Sequence, residues 1–225
     1  MARSRIPIGS GGGPWRVFLI DAHSVLREGL RRLLEREGKF RVCGEAASGR
    51  TAVSLVAKAR PDLVIIEIAL PDANGLEIVK NLHARFPDLL MLVLSMHGEA
   101  FYAERALRAG AKGYILKQEP WKRLLSAIRK VLQNEIWVSE SFSTRLLHGL
   151  VDHQNASSHR LHLLSDREIE IVDSIGQGLA TTEIAGRLGI SAKTVESHRG
   201  NIRRKLGLQS GPELMRFALA SRASG

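Results

Sequence analysis

The sequence has almost no cysteine and no long apolar run. Cys43 is the only cysteine among 225 residues, which excludes an intrachain disulfide and a zinc site built on cysteines. No uninterrupted apolar segment approaches the roughly 20 residues that a helix needs to span a bilayer. Residues 1–14 lack the apolar centre of a secretory signal and contain a run of glycines, so we predict a flexible tail there. These absences favour a cytoplasmic protein with no membrane partner. We also expect no metal and no other cofactor.

Acidic residues are also in deficit. The 23 aspartate and glutamate residues oppose 33 lysine and arginine residues, which gives a formal net charge of +10. Such an excess of positive charge favours an acidic partner, of which nucleic acid is the commonest. A chain of 225 residues is longer than one average domain requires, so we expect two domains.

Short apolar runs alternate with amphipathic segments between residues 15 and 135. The apolar runs are residues 17–20, 40–43, 63–66, 89–94 and 113–116. Runs this short and rich in β-branched residues are typical of strands buried on both faces. The amphipathic segments have helical spacing and cover residues 25–36, 51–59, 75–85, 100–109 and 121–132. The alternation predicts an α/β domain with a five-stranded parallel sheet that is covered by helices on both faces.

Polar residues follow four of the five predicted strands. Asp21 comes after the first strand and is followed by the apolar Ala22, while Glu67 comes after the third strand, Ser95 after the fourth and Lys117 after the fifth. In a parallel sheet, ligands bind at the carboxyl ends of the strands. Each residue alone is better explained as a cap of a strand or helix, but together they predict a small polar pocket.

Three segments of this region resemble the receiver domain of the NarL/LuxR-type (NarL/FixJ) two-component response regulators. They are residues 17–30, which include Ile20-Asp21-Ala22-His23, residues 61–77, which include Pro71-Asp72-Ala73-Asn74-Gly75, and residues 109–117. The resemblance implies a flavodoxin-like and CheY-like receiver domain over residues 15–135. It also implies an aromatic switch at Tyr114, for which simple packing at the sheet edge is an equally good interpretation.

The sequence departs from the receiver pattern at two positions. The family has two adjacent acids after the first strand, whereas here Asp21 is followed by Ala22, and Glu67 stands where the family phosphorylates an aspartate. Mg²⁺ requires oxygen ligands in near-octahedral geometry, and Ala22 removes one of them. The extra methylene of Glu67 moves its carboxylate by about one carbon–carbon bond, whereas phosphoryl transfer requires tight positioning. We therefore predict an atypical, degenerate receiver that has lost magnesium-dependent phosphorylation.

A Glu67–Lys117 ion pair is the expected replacement for phosphorylation. In a conventional receiver, a phosphoryl group would fill the space in which Glu67 reaches towards Lys117 and Ser95. A single carboxylate carries less charge than a phosphoryl group, which has roughly −1.5 to −2. Permanent activation, an inert scaffold and control by another ligand are all compatible with this substitution.

The pattern changes beyond residue 135. Residues 136–163 are largely polar and are predicted to be a linker, with a short helix over residues 144–151. Residues 164–225 are predicted to be an all-α domain of four helices. The first of these starts at an S-x-x-E capping box, Ser165 to Glu168, and the second is expected to be capped by Thr181 or Thr182. A Gly189-Ile190-Ser191 turn then leads into a longer helix from Ala192 to about Leu206.

This last segment resembles the LuxR-type DNA-binding domain over residues 164–168, 178–185, 191–199 and 201–208. Its layout is that of a helix-turn-helix, which places the second helix in the major groove. The resemblance places Glu196, Ser197 and Gly200 near base edges, although Gly200 departs from the longer side chain often found there. Glu196 is suited to accept a hydrogen bond from N4 of cytosine, and the basic residues to contact phosphates. The residues predicted to contact DNA are Lys193, Thr194, Glu196, Ser197, Arg199, Gly200, Arg203, Arg204 and Lys205.

A final helix is expected from Pro212 to about Ser221, with Leu214, Phe217 and Ala218 on its apolar side. The resemblance implies that this helix pairs two DNA-binding domains, and the alternative is that it only closes the four-helix core. A dimer would read two half-sites about one helical turn apart.

The sequence therefore favours a transcription regulator with no catalytic residues. Its expected partners are double-stranded DNA, a second copy of the chain, and a histidine kinase or other signalling protein. A conventional regulator that is switched by a histidine kinase is the first alternative, and Ala22 and Glu67 argue against it. An α/β enzyme is the second alternative, but the sequence has no nucleophile elbow, phosphate-binding loop or metal-ligand motif.

Overall fold

The structure is a computed structural model that describes residues 12–151 and 161–223. It divides into two units, of which the first comprises the chain up to Met96 together with Ala103–Ser139. The second comprises His97–Tyr102 and the chain from Glu140 onward. The predicted tail up to residue 11 and the linker residues 152–160 lie outside the described residues.

The first unit contains a five-stranded parallel sheet in the order β2-β1-β3-β4-β5. The strands are β1 (Trp15–Ile20), β2 (Phe40–Ala46), β3 (Leu63–Ile66), β4 (Leu90–Ser95) and β5 (Gly113–Leu116). All four residues of the central strand β3 are buried, which explains why it consists only of apolar residues. The parallel α/β fold predicted from the sequence is confirmed.

Helices connect the strands of this sheet. They are α1 (Ser24–Arg36), α2 (Gly49–Ala59), α3 (Gly75–Arg85), α4 (Glu99–Arg108) and α5 (Trp121–Leu132). On one face of the sheet, Val17 and Leu19 of β1 belong to a core cluster with residues of α1 and α5. Neighbouring residues of a strand point to opposite faces, so the buried side chains of Phe18 and Ile20 lie on the other face. All three tryptophans, Trp15, Trp121 and Trp137, pack against the core cluster of the first unit.

Helices make up most of the described residues of the second unit from Glu140 onward. Its helices there are α6 (Glu140–Val151), α7 (Asp166–Gly176), α8 (Thr181–Leu188), α9 (Ala192–Leu206) and α10 (Gly211–Ala223). Helix α6 lies within the predicted linker and starts before the expected residue 144. The capping box is present as predicted, because the Ser165 amide donates to Glu168 Oε2 at 2.7 Å and the Glu168 amide donates to Ser165 Oγ at 3.3 Å.

The predicted cap of α8 is wrong. Neither Thr181 nor Thr182 is the N-cap, which is Ala180. The backbone amide of Ala180 donates to Glu183 Oε2 at 2.7 Å, so Glu183 satisfies the start of the helix from inside its first turn. Thr181 is consequently the first helical residue, and its hydroxyl is available for another contact.

Helix α10 closes the core of the helical domain. Leu214 and Ala218 are completely buried, and α10 packs against α7. Phe217 is only partly buried. This burial favours the core-closing interpretation for Leu214 and Ala218, and dimerisation through Leu214, Phe217 and Ala218 stays a prediction. In the part of the chain that the structure describes, no helix is both long enough and apolar enough to cross a membrane.

Candidate functional site

Four polar residues meet at the carboxyl edge of the sheet. Asp21 follows β1, Glu67 follows β3, Ser95 ends β4 and Lys117 follows β5. Since these strands are parallel, their carboxyl ends lie at the same edge. Asp21, Glu67 and Ser95 are at most 4% exposed, and the Lys117 side chain is 7% exposed. The sequence predicted this pocket, and the structure places all four side chains within it.

Lys117 is paired with two carboxylates. Its Nζ lies 2.7 Å from Glu67 Oε2 and also contacts Asp21 Oδ2. A buried ammonium group loses much of its hydration energy, and close carboxylates are needed to offset this cost. The ion pair expected between Glu67 and Lys117 is thus accompanied by a second one to Asp21.

The other oxygen of Glu67 accepts hydrogen bonds. Oε1 accepts from the backbone amides of Ile68 at 2.6 Å and Ala69 at 3.1 Å, and from Ser95 Oγ at 2.5 Å. Hydrogen bonds to a charged oxygen are shorter and stronger than those between neutral groups. Both oxygens of Glu67 are therefore engaged, one with Lys117 and the other with three donors.

Asp21 is held by residues that follow it in the chain. Its Oδ1 accepts from the backbone amide of His23 at 2.8 Å and contacts His23 Nδ1 at 2.9 Å. Arg27 of α1 donates to the Asp21 carbonyl at 2.5 Å. Sequence reasoning missed Arg27, although an arginine on the same helix face as Leu30 and Leu34 was a signal for a buried polar partner. Ala22 contributes only a methyl group to this edge.

Gly75 positions the loop that carries Glu67. A Cβ atom at Gly75 would lie 2.4 Å from the carbonyl oxygen of Glu67 and 2.6 Å from Cα of Ile68. Its amide donates to the Ile68 carbonyl at 2.8 Å. The start of α3 therefore approaches the loop after β3 so closely that a side chain would force the backbone apart.

Tyr114 is completely buried in β5. Its backbone amide donates to the Trp137 carbonyl at 2.9 Å. This burial is compatible with packing and with an inward switch position, so the role as an aromatic switch stays a prediction. Among the described residues, no group of three or more histidine, cysteine or acidic side chains is arranged to hold a metal ion.

The predicted recognition helix is α9. Ser191 caps it by accepting from the Thr194 amide at 3.0 Å, and Gly207 ends it in the left-handed region with φ of 68°. Its buried stripe is Val195, Ile202 and Leu206, as predicted. With 3.6 residues per turn, the opposite face carries Lys193, Ser197, Gly200 and Arg204.

The predicted DNA contacts differ in how accessible they are. Lys193, Thr194, Glu196, Ser197, Arg204 and Lys205 are exposed, whereas Arg199, Gly200 and Arg203 are half-buried. Lys205 is paired with Glu168 of α7 through an Nζ to Oε2 distance of 2.7 Å, so part of its charge is already compensated. At Gly200, a Cβ atom would meet nothing within 4 Å, so the face opposite the buried stripe has open space at this position.

The Glu168 carboxylate links the pH dependence of the helical domain to the capping box. Burial alone would raise the pKa of Glu168, but hydrogen bonds from Lys205 and the Ser165 amide and the charge of Lys205 lower it below its ordinary value of 4.5. A lowered pKa means that folding favours the ionised form. The stabilisation is present above the unfolded-state pKa and is lost as pH falls through the folded-state pKa.

We expect the melting temperature of the helical domain to decrease as the pH is lowered from about 6 to about 3. In the Glu168→Gln variant, this decrease should be smaller. Circular dichroism at 222 nm measures the melting of both units, and tryptophan fluorescence identifies the transition of the first unit because all three tryptophans lie there. The same pH dependence in wild type and Glu168→Gln would contradict the assignment to Glu168.

Comparison with known proteins agrees with the two-part architecture. Residues 17–129 match the family described as response regulator receiver domain, and residues 162–218 match bacterial regulatory proteins of the luxR family. The oxygen regulatory protein NreC of Staphylococcus epidermidis is 36% identical over 210 residues, which cover 91% of this chain and 96% of that protein.

Two solved structures have the same fold. A LuxR-family two-component response regulator from Aurantimonas is 30% identical with a TM-score of 0.58, over 62% of this chain and 100% of that one. RcsB from Salmonella enterica serovar Typhimurium, solved bound to the promoter rprA with the phosphomimetic BeF₃⁻, is 24% identical with a TM-score of 0.64, over 92% and 99% of the two chains. The chain therefore belongs to the LuxR-type response regulators of two-component systems, a family of DNA-binding transcription regulators and not of enzymes.

Proposed function

We propose that this regulator binds paired half-sites in double-stranded DNA as a homodimer. We further propose that this binding does not require aspartyl phosphorylation of its receiver domain. The observation that carries the proposal is the contact of Lys117 with both carboxylates of the pocket, Asp21 and Glu67. This network consists of the chain's own atoms and needs no phosphoryl group.

Glu67 is poorly placed to act as a phosphoacceptor. Nucleophilic attack on phosphorus requires an oxygen that is free to approach in line. One oxygen of Glu67 is paired with Lys117 and the other accepts from two backbone amides and Ser95. Phosphorylation would have to break these contacts in a nearly closed pocket.

The acidic residues of the pocket do not fit a magnesium ion. Mg²⁺ needs several oxygen ligands in octahedral geometry, and Ala22 supplies none from its side chain. The two remaining carboxylates, Asp21 and Glu67, already neutralise Lys117. A cation at this edge would compete with an ammonium group that is held by the fold.

In this pocket, the Glu67 side chain instead takes the place of a phosphoryl group. Glu67 engages both Ser95 and Lys117, the hydroxyl and the ammonium that border the space a phosphoryl group would fill. We infer that the receiver has one stable state and that this state permits DNA binding. A histidine kinase is then unnecessary for DNA binding, although another signalling partner is compatible with the same pocket. The cytoplasm is the compartment in which such a regulator would meet DNA.

On the DNA side, the proposal assigns α9 to the major groove. Lys193, Ser197, Gly200 and Arg204 form its face opposite the buried stripe, and Glu196 lies at the edge of that face. Arg203 and Arg204 are assigned to phosphates, and Lys205 to a weaker phosphate contact because it also pairs with Glu168.

The test is selection of duplexes from a random library by unphosphorylated full-length protein, with and without a small-molecule phosphodonor. We expect wild type to select a paired motif with the same affinity in both conditions and to gain no phosphate by intact mass. The matched control is the double variant Ala22→Asp/Glu67→Asp, which restores the two acids of a conventional receiver. We expect this variant to take up phosphate and to change its DNA affinity on doing so.

A conventional regulator would give a different result. Wild type would then gain one phosphate from the donor, and its affinity for DNA would rise on modification. Either result for wild type, phosphate uptake or a rise in DNA affinity on modification, would overturn the proposal that DNA binding is independent of phosphorylation. A wild-type protein that selects no motif in either condition would overturn DNA binding in the unphosphorylated state.

A further inference from the structure

Three polar side chains join the start of α8 to the recognition helix α9. Thr181 Oγ1 donates a hydrogen bond to Glu196 Oε1 at 2.7 Å, and Arg199 Nη1 donates to Thr181 Oγ1 at 3.1 Å. Arg199 Nε also lies 3.7 Å from Glu196 Oε1. Thr181 is thus a bridge between an arginine and a glutamate that belong to a different helix.

We propose that Thr181 is a positioning residue for base readout. It orients Glu196 so that this carboxylate accepts a hydrogen bond from the amino group of a cytosine in the major groove. The inference rests on the proposed function, in which α9 enters the major groove, and it adds a residue of α8 that determines specificity.

The bridge at Thr181 requires a short side chain that both donates and accepts, and a hydroxyl does this. A hydroxyl donates one hydrogen bond and accepts others, and Thr181 does both, because it accepts from Arg199 and donates to Glu196. The Glu196 side chain is 60% exposed, so without Thr181 it would sample many rotamers. Fixing such a side chain before binding reduces the entropy that base recognition would otherwise cost.

The contact of Arg199 with Glu196 also reduces the electrostatic repulsion between this carboxylate and DNA. A carboxylate that approaches DNA is repelled by the phosphates, and the positive charge of Arg199 offsets this repulsion. Both contacts of Glu196 involve Oε1, and a carboxylate has a second oxygen with its own lone pairs. Cytosine presents an amino donor in the major groove, whereas adenine presents its amino group beside the acceptor N7, which repels a carboxylate.

The test compares full-length wild type with Thr181→Val, Thr181→Ser and Glu196→Ala on random duplex libraries. The measured quantity is the relative affinity for the four bases at each position of the motif. We expect Thr181→Val to lower the cytosine preference about three- to tenfold at one position of each half-site, the effect of losing one hydrogen bond. Thr181→Ser keeps the hydroxyl and should keep the preference. Glu196→Ala removes the acceptor and should lose the preference at the same position.

Three results would overturn the inference. Thr181→Val could weaken binding equally for all sequences, which would assign the hydroxyl to a phosphate. It could leave the base preference unchanged, or Thr181→Ser could lose the preference despite its hydroxyl. If wild type selects a motif and the Thr181→Val profile is identical, this inference fails and the proposed function stands. If wild type selects no motif, the proposed function itself fails.

Discussion

Replacing Lys117 with alanine is expected to lower the free energy of unfolding of the receiver domain by about 3–5 kcal/mol. The substitution leaves Asp21 and Glu67, both at most 4% exposed, without the cation that pairs with them. The two buried carboxylates then have no ammonium group to compensate their charge, and removing one partner of a buried ion pair is strongly destabilising. Urea unfolding of the full-length protein, followed by tryptophan fluorescence, measures this loss because Trp15, Trp121 and Trp137 all pack in the receiver domain.

Two further variants make this measurement specific. Lys122→Ala removes an exposed lysine of the same domain and should change the free energy of unfolding by no more than about 0.5 kcal/mol. The double variant Lys117→Met/Glu67→Gln removes a positive and a negative charge together and should recover part of the loss, since neutral replacements of buried ion pairs are often tolerated. A loss below about 1 kcal/mol in Lys117→Ala would show that the network contributes little to stability.

The second large effect is expected at Gly75. Alanine there would place a Cβ atom 2.4 Å from the Glu67 carbonyl oxygen, and the obstacle is backbone, which cannot rotate away as a side chain can. We expect Gly75→Ala to lower the free energy of unfolding of the receiver domain by about 1–3 kcal/mol, the usual cost of overpacking. Since the displaced backbone carries Glu67, the contacts of this residue with Lys117 and Ser95 should be disturbed as well.

Gly29 provides the matched control. It lies within α1, where a Cβ atom would meet nothing within 4 Å. Gly29→Ala should therefore raise the free energy of unfolding by about 0.5–1 kcal/mol, because alanine loses less entropy than glycine in a helix. The same urea experiment measures both variants. Equal effects of the two substitutions would contradict the close approach assigned to Gly75.

The sequence was sufficient to predict the sheet and the membership of its pocket. The apolar run Leu63–Ile66 predicts a buried strand because every residue in it is apolar and three of the four are β-branched. Once five such strands are taken as parallel, the residues that follow them must lie at one edge. Asp21, Glu67, Ser95 and Lys117 could therefore be placed together from chain position alone.

Contacts between side chains of different helices were not predictable in this way. Thr181 and Glu196 are 15 positions apart, and their hydrogen bond depends on how α8 and α9 cross and on which rotamer each adopts. The sequence interpretation assigned the threonine hydroxyl to capping, because the pattern does not show that Glu183 already satisfies the Ala180 amide. The second ion pair of Lys117, with Asp21, was not predicted either, because chain position places both carboxylates at one edge of the sheet but does not determine which of them the lysine side chain reaches.

When a side chain of the protein fills the receiver pocket in place of a phosphoryl group, the signal to which the regulator responds changes. The Lys117 network forms when the chain folds, so under our proposal its state is identical in every copy of the protein. Where no other signalling partner acts on the pocket, the number of copies is the remaining input. It acts steeply, because the concentration of a weak homodimer rises with the square of the monomer concentration. Such a regulator would work as a dosage sensor, in which transcription and degradation of the protein take the place of a phosphate signal.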